Sequence, residues 1–193
     1  MKVVIGPEAK EFTLSKPMLA HASPYFDRAL NGDFEEAKAG VLIMHESTVR
    51  AFELAISFIF NFESRFLKYD IKDFKSEDEF IVSMIELSAL SQHLLMPTLD
   101  KCATSNLRSL LDTNSASLTS HHVAHAFDLL HEKSEARGAI VRTTMVHFVG
   151  CGWDVASRNI SVDWKYGAAL MVPGYMAELL VLMKDYTMGR FRA

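Results

Sequence analysis

The densest set of chemically capable side chains in this sequence is His121, His122 and His125. On a helix, His121 and His125 stand four residues apart on one face, the spacing with which a zinc hydrolase holds its metal. That motif also needs a Glu between the two histidines, and none is present. No other Cys/His pair has zinc-finger spacing. The three are therefore read as solvated or cap-proximal histidines, and no metal ligand is assigned. An enzyme or metal-binding protein built on this His-rich segment is kept as the rival class, which elemental analysis for bound metal would reveal.

Other chemistry lacks a local signature. GxSxG, P-loop and GxGxxG patterns are absent and the 9 glycines are scattered singly, so neither a nucleophile elbow nor a phosphate cradle can be placed. Cys102 and Cys151 are far apart and lack CxxC spacing, which reads as two buried thiols in a reducing compartment. No catalytic residue and no cofactor are expected.

A chain of 193 residues suits one domain with an extension, or two small domains. Its 49% hydrophobic and 23% charged residues are those of an ordinary globular protein. With 20 basic against 24 acidic residues, a net charge of -4 and no basic run, it carries no electrostatic footprint for nucleic acid. Pro7, Glu8, Lys10 and Glu11 follow closely on Val3 to Ile5, which argues against a signal peptide. The most apolar segment, Ala168 to Met183, is broken by Pro173-Gly174 and Glu178 and is too short to span a bilayer. A cytoplasmic or nuclear protein is expected, in which the sequon Asn159-Ile160-Ser161 meets no glycosylation enzyme.

The elements that must position any functional surface begin with Val3 to Ile5, turned by Gly6-Pro7 into a hairpin with Glu11 to Leu14. Pro17 falls in the first turn of a helix carrying Met18, Leu19 and Ala22. Ser23-Pro24 then caps a second helix carrying Tyr25, Phe26, Ala29 and Leu30. After a loose segment, Asn31 to Gly40, a third strand is predicted at Val41 to Met44. Thr48 to Asn61 reads as a core helix with a narrow polar stripe of Arg50, Glu53, Ser57 and Asn61. The charged connection to Lys75 is long enough to hold a short strand, such as Phe66 to Ile71. Ser76-Glu77-Asp78-Glu79 is a capping box, with Phe80, Met84, Leu87 and Leu94 behind it at helical spacing. Met96-Pro97 starts another helix, with Leu99, Ala103, Leu107 and Leu110 on one face.

Small polar residues at Thr113 to Ser117 mark the expected boundary, giving a first domain over 1–112 and a helical extension over 113–193. In the extension, Thr119 caps a helix bearing Val123, Phe127 and Leu130. A further helix runs from Glu135 to Val149, and Cys151 to Ala169 has no period. Pro173 opens a last helix carrying Met176, Leu179, Leu180 and Met183.

Phe12, Lys16, Leu19, Ser23, Pro24, Tyr25 and Phe26, in that order, resemble the opening of a BTB/POZ domain, with Ser15 where the family usually has His. LSALSQHLLMPTL, Leu87 to Leu99, is similar to the family's helical pair, and AFELAISFIF, Ala51 to Phe60, to the segment that precedes the family's Tyr-x-Gly strand. The resemblance covers roughly the first 107 residues and is closest in tone to fungal members with a helical C-terminal tail. It implies an α+β fold, a small three-stranded sheet packed with a cluster of helices and followed by an all-helical extension. It also implies a non-catalytic protein–protein interaction module. No repeat is visible, so no propeller blades are expected.

In BTB adaptors of cullin-based ubiquitin ligases, an apolar residue, any residue and then Glu precede the third strand and insert into the cullin. Phe34, Glu35 and Glu36 hold that register ahead of Val41. The same triple recurs at Met44 to Glu46, Ala51 to Glu53, Met84 to Glu86 and Met176 to Glu178, so it has little weight alone. The resemblance thus implies a protein partner, and the alternative reading is a substrate adaptor bound to a cullin scaffold. Transcription-factor-type BTB dimers exchange a strand and helix that precede the first strand. This sequence starts at that strand, and a monomer or non-swapped dimer is expected.

Overall fold

Gly6 can hold a φ of +71°, a region that side chains disfavour, and this lets the chain reverse between two extended runs. The structure is a computed structural model that describes residues 1–32, 35–61, 69–150 and 165–187, and no side chain of 148–150 or 187. In it β1 (Lys2–Ile5) pairs antiparallel with β2 (Lys10–Thr13), Val3 opposite Phe12. On its other side β1 pairs in parallel with β3 (Val41–Met44), Val3 opposite Leu42, so the order is β2-β1-β3. Strand alternation puts Val3, Ile5, Leu42 and Met44 on one buried face, while Ile43 points out.

A parallel neighbour requires a crossover, which here consists of three helices: α1 (Lys16–Ala22), α2 (Pro24–Asn31) and α3 (Glu35–Ala39). Prolines open the first two, as their fixed φ favours, and Leu19, Phe26 and Leu30 are buried from them. The segment expected to be loose holds α3, whose acids lie in its first turn and whose Lys38 lies in its last. Then α4 (Val49–Phe60) is capped by Thr48, whose hydroxyl accepts from the Ala51 N–H at 3.2 Å and donates to Glu86 Oε2 at 2.7 Å. Its Phe52 ring meets Phe12 of β2 edge-on, centroids 5.0 Å apart.

The described chain divides into two compact units, Met1–Asp73 with Glu86–Ala103, and Phe74–Ile85 with Thr104–Ala193. The division falls inside α5 (Glu77–His93) and α6 (Pro97–Thr113), so each helix serves both. Leu87 and Leu90 of α5, and Leu94 just after it, are buried in the first unit, and Phe80, Ile81, Met84 and Ile85 of α5 in the second.

In the second unit Ser76 Oγ accepts from the Glu79 N–H at 3.1 Å, as the capping box predicts. The Glu79 carboxylate reaches back one residue further than that motif, to the Lys75 N–H. The expected boundary segment is fastened: Glu77 accepts from Asn114 at 2.8 Å and from the Ser117 hydroxyl. There follow α7 (Ser120–Leu129), α8 (Glu135–Gly150) and α9 (Tyr175–Thr187), with Val123, Ala126, Ala136, Ile140 and Met145 among the buried side chains. The described residues thus form an α+β protein of nine α-helices and one three-stranded sheet. No described helix is long and apolar enough to cross a membrane.

Some expectations meet a different outcome. Of the strand proposed at Phe66 to Ile71, residues 66–68 lie outside the described residues, and Ile71–Asp73 is a 3-10 turn. Asp70 makes it so, because its side chain accepts from the Lys72 N–H at 3.0 Å and its carbonyl from the Asp73 N–H. Pro173 and Gly174 form a turn, Gly174 at φ +81°, and α9 starts only at Tyr175. Phe34, Cys151, Trp153, the sequon at Asn159 and Trp164 lie outside the described residues.

Candidate interaction surface

The first unit places its candidate surface through Ser23, which is 1% exposed. Its N–H closes α1 on the Leu19 carbonyl at 3.1 Å. Its hydroxyl oxygen accepts from the Tyr25 and Phe26 N–H groups at 3.2 and 3.3 Å, satisfying donors that a helix start leaves open. The hydroxyl proton goes to the Leu94 carbonyl at 2.6 Å. That carbonyl lies at the end of α5, which closes with Met96 N–H on Ser91 O and Leu95 N–H on Gln92 O, Leu95 at φ +57°. This is the Schellman arrangement, with Leu in the position that usually goes to glycine. One serine therefore joins the start of α2 to the end of α5.

Of the triple Phe34, Glu35 and Glu36, the first lies outside the described residues, and the two acids form the exposed first turn of α3. Carboxylates are favoured there by the open N–H groups of the helix start. The far end of α3 is anchored to the sheet: the Gly40 N–H returns to Glu36 O, and the Lys2 N–H of β1 donates to Gly40 O, both at 3.0 Å. Gly40 does this at φ +67°. Glu36 acts on Tyr25 of α2, whose phenol is pushed above its ordinary pKa first by burial and second by that carboxylate. Tyr25 in turn stands over the His93 ring, centroids 4.7 Å apart. Two acids, a protonated phenol and an imidazole make a surface able to accept and donate hydrogen bonds to another polypeptide.

Three histidines in the second unit are divided rather than gathered. His121 and His125 stack on one face of α7 at 6.1 Å and 18°, as their spacing predicts. His122 is buried beneath the helix start, where Nδ1 accepts from the Thr119 N–H at 3.0 Å and Nε2 lies 2.9 Å from Asp78 Oδ1. Burial holds its pKa below the ordinary value of 6.5; Asp78 opposes that shift, and His121 and His125 add to it. Among the described residues, no three His, Cys, Asp or Glu side chains are placed to hold a metal ion. Cys102 is half-buried and outside any disulfide.

A second surface escaped the sequence reading. Met171 is 86% exposed, Val181 60% and Leu180 56%, with Met176 beside them on α9. Of the four apolar residues expected on that helix, Leu179 is buried, Met183 is half-buried, and Met176 and Leu180 face out. Neither a family model nor a curated protein matches this sequence.

Proposed function

We propose that the chain is a BTB/POZ-type protein–protein interaction module that works without catalysis. The observation that carries this reading is the joint at Ser23. A hairpin, a Pro-started helix, a serine-capped helix and a third strand follow in the order the resemblance implies, and the residues that carry the resemblance build it. The α+β character of the described chain supports the same reading. Its mechanism is burial of Phe34, Glu35 and Glu36 against a partner polypeptide, an aromatic anchor followed in sequence by the two acids that open α3. A cytoplasmic or nuclear place of action and a monomeric or non-swapped state belong to the proposal.

The experiment is affinity capture from the native cell, with Glu35→Lys/Glu36→Lys as the control. Both acids are exposed, so the fold should survive the exchange. A protein retained by the natural chain and lost from the control supports the reading, whereas an identical set from both contradicts it.

A substrate adaptor of a cullin-based ligase is the second reading. It is favoured by two separate exposed surfaces, the acidic start of α3 in one unit and the apolar face of α9 in the other. The first would hold the cullin and the second a substrate. In a pulldown with the cullin N-terminal region, this reading predicts capture that Phe34→Ala weakens by at least about tenfold, the loss of a hot-spot anchor. Absence of capture by the natural chain rejects it.

A further inference from the structure

The start of α7 carries a capping box of unusual composition. The motif places Glu or Gln three residues after a capping Ser or Thr, where its side chain accepts the cap's N–H. Here Thr119 is the cap and His122 holds the Glu/Gln position. Its Nδ1 accepts from the Thr119 N–H at 3.0 Å and lies 3.1 Å from Thr119 Oγ1. An acceptor at Nδ1 means that the neutral ring carries its proton on Nε2, the atom beside Asp78. Protonation converts Nδ1 from acceptor to donor, so the imidazolium cannot accept the Thr119 N–H. Glutamine in the same place would be indifferent to pH across this range.

We propose that the Thr119–His122 pair is a proton-operated latch, closed while the ring is neutral and released at the start of α7 when it takes up a proton. The surroundings set its direction. From α5, Asp78 favours the charged ring, but its carboxylate is 67% exposed and so well screened. From α7 itself, His121 and His125 oppose a third positive charge. The other elements packed on α7 bring Arg137 of α8, engaged by Glu178, and Lys165 ahead of the Gly167–Met171 turn, engaged by the Ala116 carbonyl. Burial decides, and the folded ring binds its proton less readily than the open one. Stability from the latch is therefore complete above 6.5, the open-state value, and declines as pH falls from there toward the depressed folded value.

The test is hydrogen exchange of the full chain, read as protection at Thr119 and along the first turn of α7 between pH 7.5 and 5. One proton enters on opening, so protection should fall about tenfold per pH unit below the open-state pKa. His122→Gln keeps the acceptor and removes the titration, and its protection should stay level. Level protection in the natural chain, or the same slope in His122→Gln, overturns the proposal. Should the variant fold poorly, NMR titration of the natural chain decides. A His122 ring that stays neutral well below 6.5 supports the latch, and one that titrates at or above 6.5 refutes it.

Discussion

Arg137→Ala is expected to cost about 3 kcal/mol, the low end of the range for removing one partner of a buried ion pair. From α8 the guanidinium donates to Leu130 O at 3.0 Å, closing the end of α7, and to the Glu178 carboxylate of α9. It also lies over the Phe127 ring, 3.7 Å from the centroid, and Phe127 meets Tyr175 edge-on. Alanine would strand a buried carbonyl and a partly buried carboxylate, and leave a hole beside Phe127. The Arg side chain is 11% exposed and Glu178 is 29% exposed, so water relieves part of the carboxylate's loss and the low end applies. Lys keeps the charge but neither the planar stack nor the fork, so Arg137→Lys should recover less than half. Urea unfolding measures both; a loss below about 1 kcal/mol for Arg137→Ala would reduce the pair to an ordinary surface bridge.

Ser23→Ala is expected to cost about 2–4 kcal/mol, the sum of a lost helix cap, about 1, and a stranded buried carbonyl, about 1–3. Two substitutions separate the terms. Gly substitutes for a capping serine at a cost of only a few tenths of a kcal/mol but leaves Leu94 O equally unpaired. Ser23→Gly should therefore fall between the natural chain and Ser23→Ala, and its own deficit measures the tie to α5. Denaturant midpoints report both. A Ser23→Gly variant as stable as the natural chain would mean that the 2.6 Å bond to Leu94 contributes nothing net.

Local rules made much of the first unit readable. Gly6-Pro7, Pro17 and Ser23-Pro24 each act within a few residues of themselves, and the structure bears out the turn and the two helix starts that they predict. The α3 helix was also written locally, in Glu-Glu-Ala-Lys-Ala, but the neighbouring Asn31-Gly32-Asp33 concealed it. The partner of the Ser23 hydroxyl was not readable, since Leu94 lies 71 residues away and any carbonyl could have taken the bond.

The rotation of α9 shows where counting apolar residues fails. Met176, Leu179, Leu180 and Met183 are spaced for an inward face, yet the helix turns Tyr175 and Leu179 inward. Polar groups with buried partners explain the choice. The Tyr175 hydroxyl donates to Thr144 at 2.9 Å in the interior, and Glu178 meets Arg137. Rolling the helix to bury Leu180 would leave those groups unpaired, and each unpaired buried group costs about 1–3 kcal/mol. His122 carries a similar lesson: its capping role was open to reading from Thr119, three residues earlier, but its burial against Asp78 was not.

The central claim is that the start of α3 is where this protein meets a partner. Its most direct test is hydrogen exchange of the chain alone and with the partner it captures. New protection should centre on residues 33–40 and extend only to their neighbours in α2 and β3. Protection confined to other residues, with 33–40 exchanging as fast as in the unbound chain, would contradict the account.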